Sequence, residues 1–325
     1  MKFYKNKKVL ITGGTGLIGI QLTKLLLNYG AKITVVSLEK NPELSSRVRF
    51  MKSDLRILNN CLKATKDQDF VFHLAGIKGS PKLTMTRPYS FMTPMILFNT
   101  NMLEACRINN IKRYLYTSSI GVYNPKSIMK EADVWNTFPS KNDWYSGWAK
   151  RLGELQVEAL LKEEKNKMKT VIVRPANVYG PHDNFDVKTA MVIPSLINKF
   201  INSKNKSVDV WGDGSTIRDF IFSKDVATAM AKLMKVAPKH PVNIGSGKGY
   251  KISEVVKIIN KYFKEQFKIR WDTSKPSGDK IRILDTKYLN SLGVKKLTSL
   301  ETGIIETIKW YSENKNNQKR FNIFK

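Results

Sequence analysis

TGGTGLIG, residues 12–19, joins an apolar, β-branched run, KKVLIT (7–12), to an amphipathic stretch ending in glycine, GLIGIQLTKLLLNYG (16–30). The run predicts a strand, and the stretch predicts a helix with a C-terminal glycine stop. Between them lie Gly13, Gly16 and Gly19. Gly13 permits a tight turn, Gly16 lets the backbone approach a pyrophosphate, and Gly19 lets the helix pack closely on the strand. The helix N-terminus offers unpaired N–H groups and a partial positive charge to phosphate. Glycine turns are common, but one set between a hydrophobic strand and an amphipathic helix points to a dinucleotide site.

Further strands are expected at AKITVVS (31–37), RVRFMKSD (47–54), DFVFHLAG (69–76), RYLYTSS (113–119) and TVIVRPA (170–176). Helical patterns such as MILFNTNMLEACRINN (95–110) and GWAKRLGELQVEALLKEEK (147–165) separate them. Near-continuous apolar strands alternating with helices predict a parallel sheet covered on both faces. The fold class is therefore α/β, a Rossmann-like doubly wound parallel sheet with a smaller C-terminal substrate-binding domain. The dinucleotide-binding domain is expected over 1–176, completed by segments near 216–240. From 177 the chain turns loop-rich, as in NVYGPHDNF and VWGDGS, and 177–325 reads mainly as the substrate-binding domain over the sheet's carboxyl edge. The polar tail KNNQKRFNIFK is expected to fray.

The 325 residues, 42% of them hydrophobic, suit a globular protein. The start shows no apolar run with a cleavage site, and no stretch approaches the roughly 18 apolar residues of a membrane span. Cys61 and Cys106 lack metal-ligand spacing, which suits a reducing compartment, so the cytoplasm is expected and no metal is. The net charge of +29 raises nucleic acid as a partner. Yet 44 of the 56 basic residues are lysines spread along the chain, with no zinc-finger, basic-zipper or RNA-binding motif. Neither nucleic acid nor a membrane is expected as partner; an anionic small molecule is.

The end of the second strand discriminates between cofactors. Ser37 stands where an acidic residue would hold the ribose of NAD and repel the phosphate of NADP. Serine repels nothing and Lys40 could meet the phosphate, though Glu39 could reach a ribose; NADP is favoured over NAD. Asp54 is placed for an adenine contact or is an ordinary turn aspartate. Ser118 and Ser119 end a strand at the carboxyl edge, where a hydroxyl can polarise a substrate oxygen. Lys150, on the following helix, can hold the nicotinamide ribose and lower the pKa of a neighbouring acid–base group. Tyr145 precedes Lys150 by five residues, about 140° away on a regular helix, whereas Ser146 precedes it by four and shares its face. A serine hydroxyl is far less acidic than a phenol, so either Tyr145 lies before the helix and swings across, or another group or the substrate supplies the proton.

These segments resemble the extended short-chain dehydrogenase/reductases that act on nucleotide sugars. GGTGLIG, HLAG (73–76), TSSIGVY (117–123), the lysine of GWAK, RPANVYGP (174–181) and VWGDGSTIRDFIFSKDVA (210–227) occur in that family's order. YGPHDNFD, VIPSLINKF and VWGDGS are most similar to its GDP-L-fucose synthase branch, reductases and epimerases of GDP-4-keto-6-deoxymannose that use NADPH. The resemblance implies a nicotinamide cofactor held by Gly13, Thr15, Gly16, Leu17, Ile18 and Gly19, then by Ser37, Asp54, Leu55, Leu74 and Ala75, and beyond by Lys150, Pro175 and Val178. It places the strand-end hydroxyl on Ser119, or on Ser118 with another gap placement. Asn177 would face the sugar nucleotide, Lys199 the nucleotide and Arg218 the diphosphate. Ile120 and Met191 stand where fucose synthases epimerise with cysteine and histidine, and Ile120 and Gly121 replace the acidic pair of 4,6-dehydratases. The implied function is an NAD(P)-dependent nucleotide-sugar epimerase or reductase, most readily at C4, in surface polysaccharide or lipopolysaccharide synthesis. A GDP-sugar is the favoured substrate and a homodimer the implied assembly. The departures motivate an alternative, a catalytically silent NAD(P)-binding sensor or assembly protein.

Overall fold

Residues 1–39, 44–77, 79, 81–163, 167–275 and 278–317 are described by the computed structural model. Its glycine turn connects β1 (Lys8–Thr12) to α1 (Leu17–Asn28). β2 (Lys32–Ser37), β3 (Val48–Lys52), α2 (Leu58–Thr65), β4 (Phe70–His73), α3 (Pro81–Thr86), α4 (Pro88–Ile108) and β5 (Arg113–Thr117) follow. Then come α5 (Trp144–Lys162), β6 (Lys169–Pro175), β7 (Asn177–Tyr179), α6 (Val192–Asn202), β8 (Ser207–Trp211) and β9 (Ile217–Phe222). α7 (Ser223–Val236), β10 (Val242–Ile244), β11 (Gly249–Lys251), α8 (Ile252–Tyr262), β12 (Lys268–Asp272), β13 (Ile281–Arg282), α9 (Lys287–Ser291) and α10 (Leu300–Asn314) complete the order.

Among the described residues, seven parallel strands form the main sheet in the order β10-β6-β5-β4-β1-β2-β3. Side chains alternate across it. Val9, Ile11, Phe70, Phe72 and Leu115 pack on one face with α1 and α7, whereas Leu10, Val71, Tyr114 and Tyr116 pack on the other with α2, α4 and α5. The two-sided burial explains why the strands read as apolar runs. The connections from β1 and β4 leave in opposite directions, so a crevice opens between their carboxyl ends, the usual ligand position in such a sheet.

The smaller unit has its own core, with Tyr179, Phe185, Ile197, Phe200, Val255 and Ile304 among its members. It contains one sheet of β11, β9, β13 and β7 and a pair, β8 with β12. β9 belongs to this smaller sheet, whereas α7 packs against α1 and β10 extends the main sheet. Among the described residues, no helix is long and apolar enough to cross a membrane.

Candidate active site

A cleft of about 900 Å³ follows the carboxyl edge of the main sheet. Its floor begins at the glycine turn. Gly13 has φ +64°, and a side chain there would begin 3.1 Å from the backbone of Leu74 and Ala75. At Gly19 the same atom would lie 2.3 Å from the Gly13 carbonyl oxygen, so only glycine lets α1 approach β1. Gly16 caps α1 without a side-chain hydrogen bond, leaving the first-turn N–H groups to the cleft. This uncapped turn fits the diphosphate of a dinucleotide.

Thr15, Leu17, Ile18, Leu55, Leu74 and Ala75 line the same floor. Ser37 Oγ accepts from Thr15 Oγ1 at 2.9 Å and from Glu39 N at 3.3 Å, tying the end of β2 to the turn. Glu39 also lines the cleft; Lys40 lies outside the described residues. Asp54 lines it too, but Arg56 engages its carboxylate at 2.6 Å and holds its pKa below the usual range. That geometry makes Asp54 first a turn aspartate.

At the other end Lys150, Ser118, Ser119, Pro175, Asn177 and Val178 come together. Lys150 is buried and its Nζ donates to the Thr117 carbonyl at 2.7 Å. Burial pushes the ammonium down to about 8, with nearby Glu154 opposing. Ser118 is buried, and its Oγ has no partner among the described residues. Ser119 Oγ accepts from Gly121 N at 3.0 Å, so its own hydrogen can point to a ligand oxygen. Asn177 lines the cleft while its Nδ2 donates to the Asp219 carbonyl at 2.8 Å.

α5 begins at Trp144, so Tyr145 is already helical and cannot swing across from a preceding loop. It is 45% exposed and is not among the cleft-lining residues, whereas Ser146 lines the cleft. Ser146 Oγ donates to the Asp143 carbonyl at 3.2 Å. Lys199 and Arg218 are not among the lining residues either. Lys199 Nζ donates to the Asp209 carbonyl at 2.8 Å and lies 5.8 Å from the centre of the exposed Trp211 ring. Arg218 is half-buried, and its pKa is lowered to about 10 by burial and then by the neighbouring Arg282 cation.

The sequence pattern left several site residues unassigned. Arg282 lines the cleft and binds Asp143 at 2.7 Å. A buried chain of hydrogen bonds also links the glycine turn to α5. The Lys150 carbonyl can only accept, so Tyr116 Oη donates to it at 3.2 Å and itself accepts from Asn99 Nδ2 at 3.0 Å. Asn99 Oδ1 thus receives His73 Nε2–H at 2.9 Å, and His73 Nδ1 accepts from Thr12 Oγ1 at 2.8 Å. Thr12 Oγ1 in turn accepts from Ala75 N at 3.1 Å. Burial, reinforced by the Lys150 charge, pushes His73 down to about 3 and keeps it neutral. His73 stood in the HLAG segment, but its partners belong to distant elements.

Two further arrangements position the site. Arg174 on β6 makes a bidentate, fully buried pair with Glu154 on α5, at 2.9 and 2.6 Å. Asp219 receives Ser246 N and Oγ, Gly247 N and Leu284 N, joining β9 to the loops beyond it, although burial still lifts its pKa to about 6.

Comparison with known proteins gives this geometry a family. The model of the NAD dependent epimerase/dehydratase family matches residues 9–245. A probable GDP-L-fucose synthase 1 of Oryza sativa subsp. japonica is 28% identical over 318 residues, covering 95% of this chain and 93% of that one. The GDP-L-colitose synthase of Yersinia pseudotuberculosis is 28% identical, covering 95% and 99%. A solved UDP-N-acetylglucosamine 4-epimerase from Methanobrevibacter ruminantium M1, in complex with UDP-N-acetylmuramic acid, superposes with a TM-score of 0.84 at 27% identity, covering 95% and 99%. With the glycine turn, the buried lysine and the strand-end serines sharing one cleft, the chain belongs to the NAD dependent epimerase/dehydratase family, the extended short-chain dehydrogenase/reductases of nucleotide sugars.

Proposed function

We propose that the protein is a cytoplasmic epimerase or reductase of a nucleotide-activated hexose, acting at C4 in surface polysaccharide or lipopolysaccharide synthesis. The observation that carries this is the convergence of buried Lys150 with Ser118 and Ser119 in the cleft that begins at the uncapped turn. The bound nicotinamide would supply or accept a hydride. Gly13 to Gly19 would hold its diphosphate, and Lys150 its nicotinamide ribose. Ser119 would donate to the reacting sugar oxygen, and Ser118 Oγ, buried without a partner among the described residues, would complete that contact. NADP is favoured because Ser37 carries no charge at the end of β2. A GDP-sugar is favoured by likeness to GDP-sugar synthases, although the structural relative bound to a UDP compound keeps a uridine nucleotide in view.

Asn177, which lines the cleft, would face the sugar nucleotide, and Arg218, close enough to Arg282 for their charges to interact, would meet its diphosphate. Lys199 beside Trp211 would meet the nucleotide beyond the cleft wall. A homodimer through α4 and α5 fits the apolar Leu97, Ile108, Leu152 and Leu155 exposed there. The test is NADPH absorbance after addition of GDP-4-keto-6-deoxymannose to the purified protein. Steady oxidation with a reduced sugar identified by NMR supports a reductase. Nicotinamide that copurifies, with interconversion of hexose epimers and no net oxidation, supports an epimerase. Bound nicotinamide without either activity would overturn the enzymatic reading in favour of a sensor.

A further inference from the structure

Resting on that reading, one chemical role still lacks a residue. A carbon that exchanges a hydride needs its oxygen to exchange a proton, and the Ser146 hydroxyl is too weak an acid for the task. Asp143 brings a carboxylate to the same wall. It caps α5 seven residues before Lys150, and two turns return it to within about 20° of the lysine's direction. It lines the cleft with Ser119, Ser146 and Lys150.

Gly121 permits the approach. From the point where a Gly121 side chain would begin, Asp143 Cγ lies 3.2 Å away and Ser119 Oγ 3.4 Å away. Carboxylate and strand-end hydroxyl therefore flank one spot. Arg282 anchors the carboxylate, with Nη1 donating to Asp143 Oδ2 at 2.7 Å and Nη2 to the Ile120 carbonyl at 3.1 Å. Arg282 is 8% exposed, and its Nε has no partner among the described residues. Asp143 Oδ1 also has no hydrogen bond to the described residues, so it remains for a ligand.

We infer that Asp143 is the catalytic acid–base group of this site, in place of an aromatic hydroxyl. As a sugar alcohol is oxidised, its O–H bond breaks and the proton passes to Asp143 Oδ1. The electron pair left on oxygen closes the carbonyl while the neighbouring C–H pair leaves as hydride to the oxidised nicotinamide. On the return, the Asp143 carboxylic acid gives its proton back to the oxygen as the carbon regains a hydride. An epimerisation then has no net oxidation, and a reduction consumes one reduced nicotinamide and one proton that solvent restores to Asp143. Arg282 is a positioning residue: its hydrogen bond to Oδ2 fixes the carboxylate against the cleft wall.

The experiment compares wild type with Asp143→Asn and Asp143→Glu, using NADPH with GDP-4-keto-6-deoxymannose and interconversion of GDP- and UDP-hexose epimers as activity probes. GDP affinity, by calorimetry, serves as the binding control. Asp143→Asn should lower kcat about 100-fold or more while KM and GDP affinity stay within about threefold. Asp143→Glu should recover part of the loss. An active wild type with an equally active Asp143→Asn overturns the assignment and leaves the proposed function standing. A loss confined to KM and GDP affinity also overturns it, making Asp143 a binding residue. A wild type inactive with every probe overturns the proposed function, and the assignment falls with it.

Discussion

Lys150 is an ammonium group buried against a carbonyl, and its pKa near 8 gives the site a titration in the working range. Below about pH 8 it is charged and can donate to a dinucleotide; above, the charge is lost. Affinity for NADPH should therefore weaken as pH rises through about 8, by roughly tenfold, the scale of one charge-assisted hydrogen bond. Fluorescence titration of bound NADPH measures this, and Lys150→Met should be weak at every pH with the dependence gone. Tyr145→Phe should leave kcat within about twofold, since substitutions at exposed positions away from special contacts shift energies by about 0.5 kcal/mol. A 100-fold loss would return the tyrosine to the chemistry. Helix arithmetic alone separated Ser146 from Tyr145, because a period of 3.6 is a local property. Asp143 was not legible in that way: it precedes the helical pattern, and its anchor Arg282 is 139 residues away.

Whereas β3 exposes Arg49 and Lys52 and β10 has only three residues, the inner strands β1, β2, β4, β5 and β6 of the main sheet were legible because each is largely buried on both faces along an apolar run. The small sheet was not. β7 and β11 have three residues each and β13 has two, too few for a period, and their pairing depends on β9. Two substitutions test how the elements join. Gly19→Ala places a methyl 2.3 Å from the Gly13 oxygen, so α1 must lift from β1. Overpacking of this kind costs about 1–3 kcal/mol, and NADPH binding should fall with it. Glu154→Gln removes the charge opposite Arg174, and breaking a buried pair from one side costs about 3–5 kcal/mol. Urea unfolding of both variants gives the values. A Glu154→Gln midpoint equal to wild type would mean that the pair does not join α5 to β6 energetically.

Over the whole molecule, 56 basic against 27 acidic residues produce a field that attracts anionic nucleotides from a distance. Stopped-flow association of a fluorescent GDP derivative should therefore slow several-fold between about 20 and 200 mM salt, as the screening length shortens to about 7 Å. A rate independent of salt would show that the lysines cancel around the cleft. Chain order has a further consequence. β6 ends at Pro175, but its outer neighbour β10 begins only at Val242, 67 residues later. On the ribosome, at about 5–20 residues per second, that interval lasts roughly 3–13 s. Throughout it the nascent sheet presents β6 as an open edge with unpaired N–H and carbonyl groups, a template for pairing with another chain. Biosynthesis thus exposes the main sheet to aggregation at one identifiable place, and any chain interrupted before Val242 keeps that edge open.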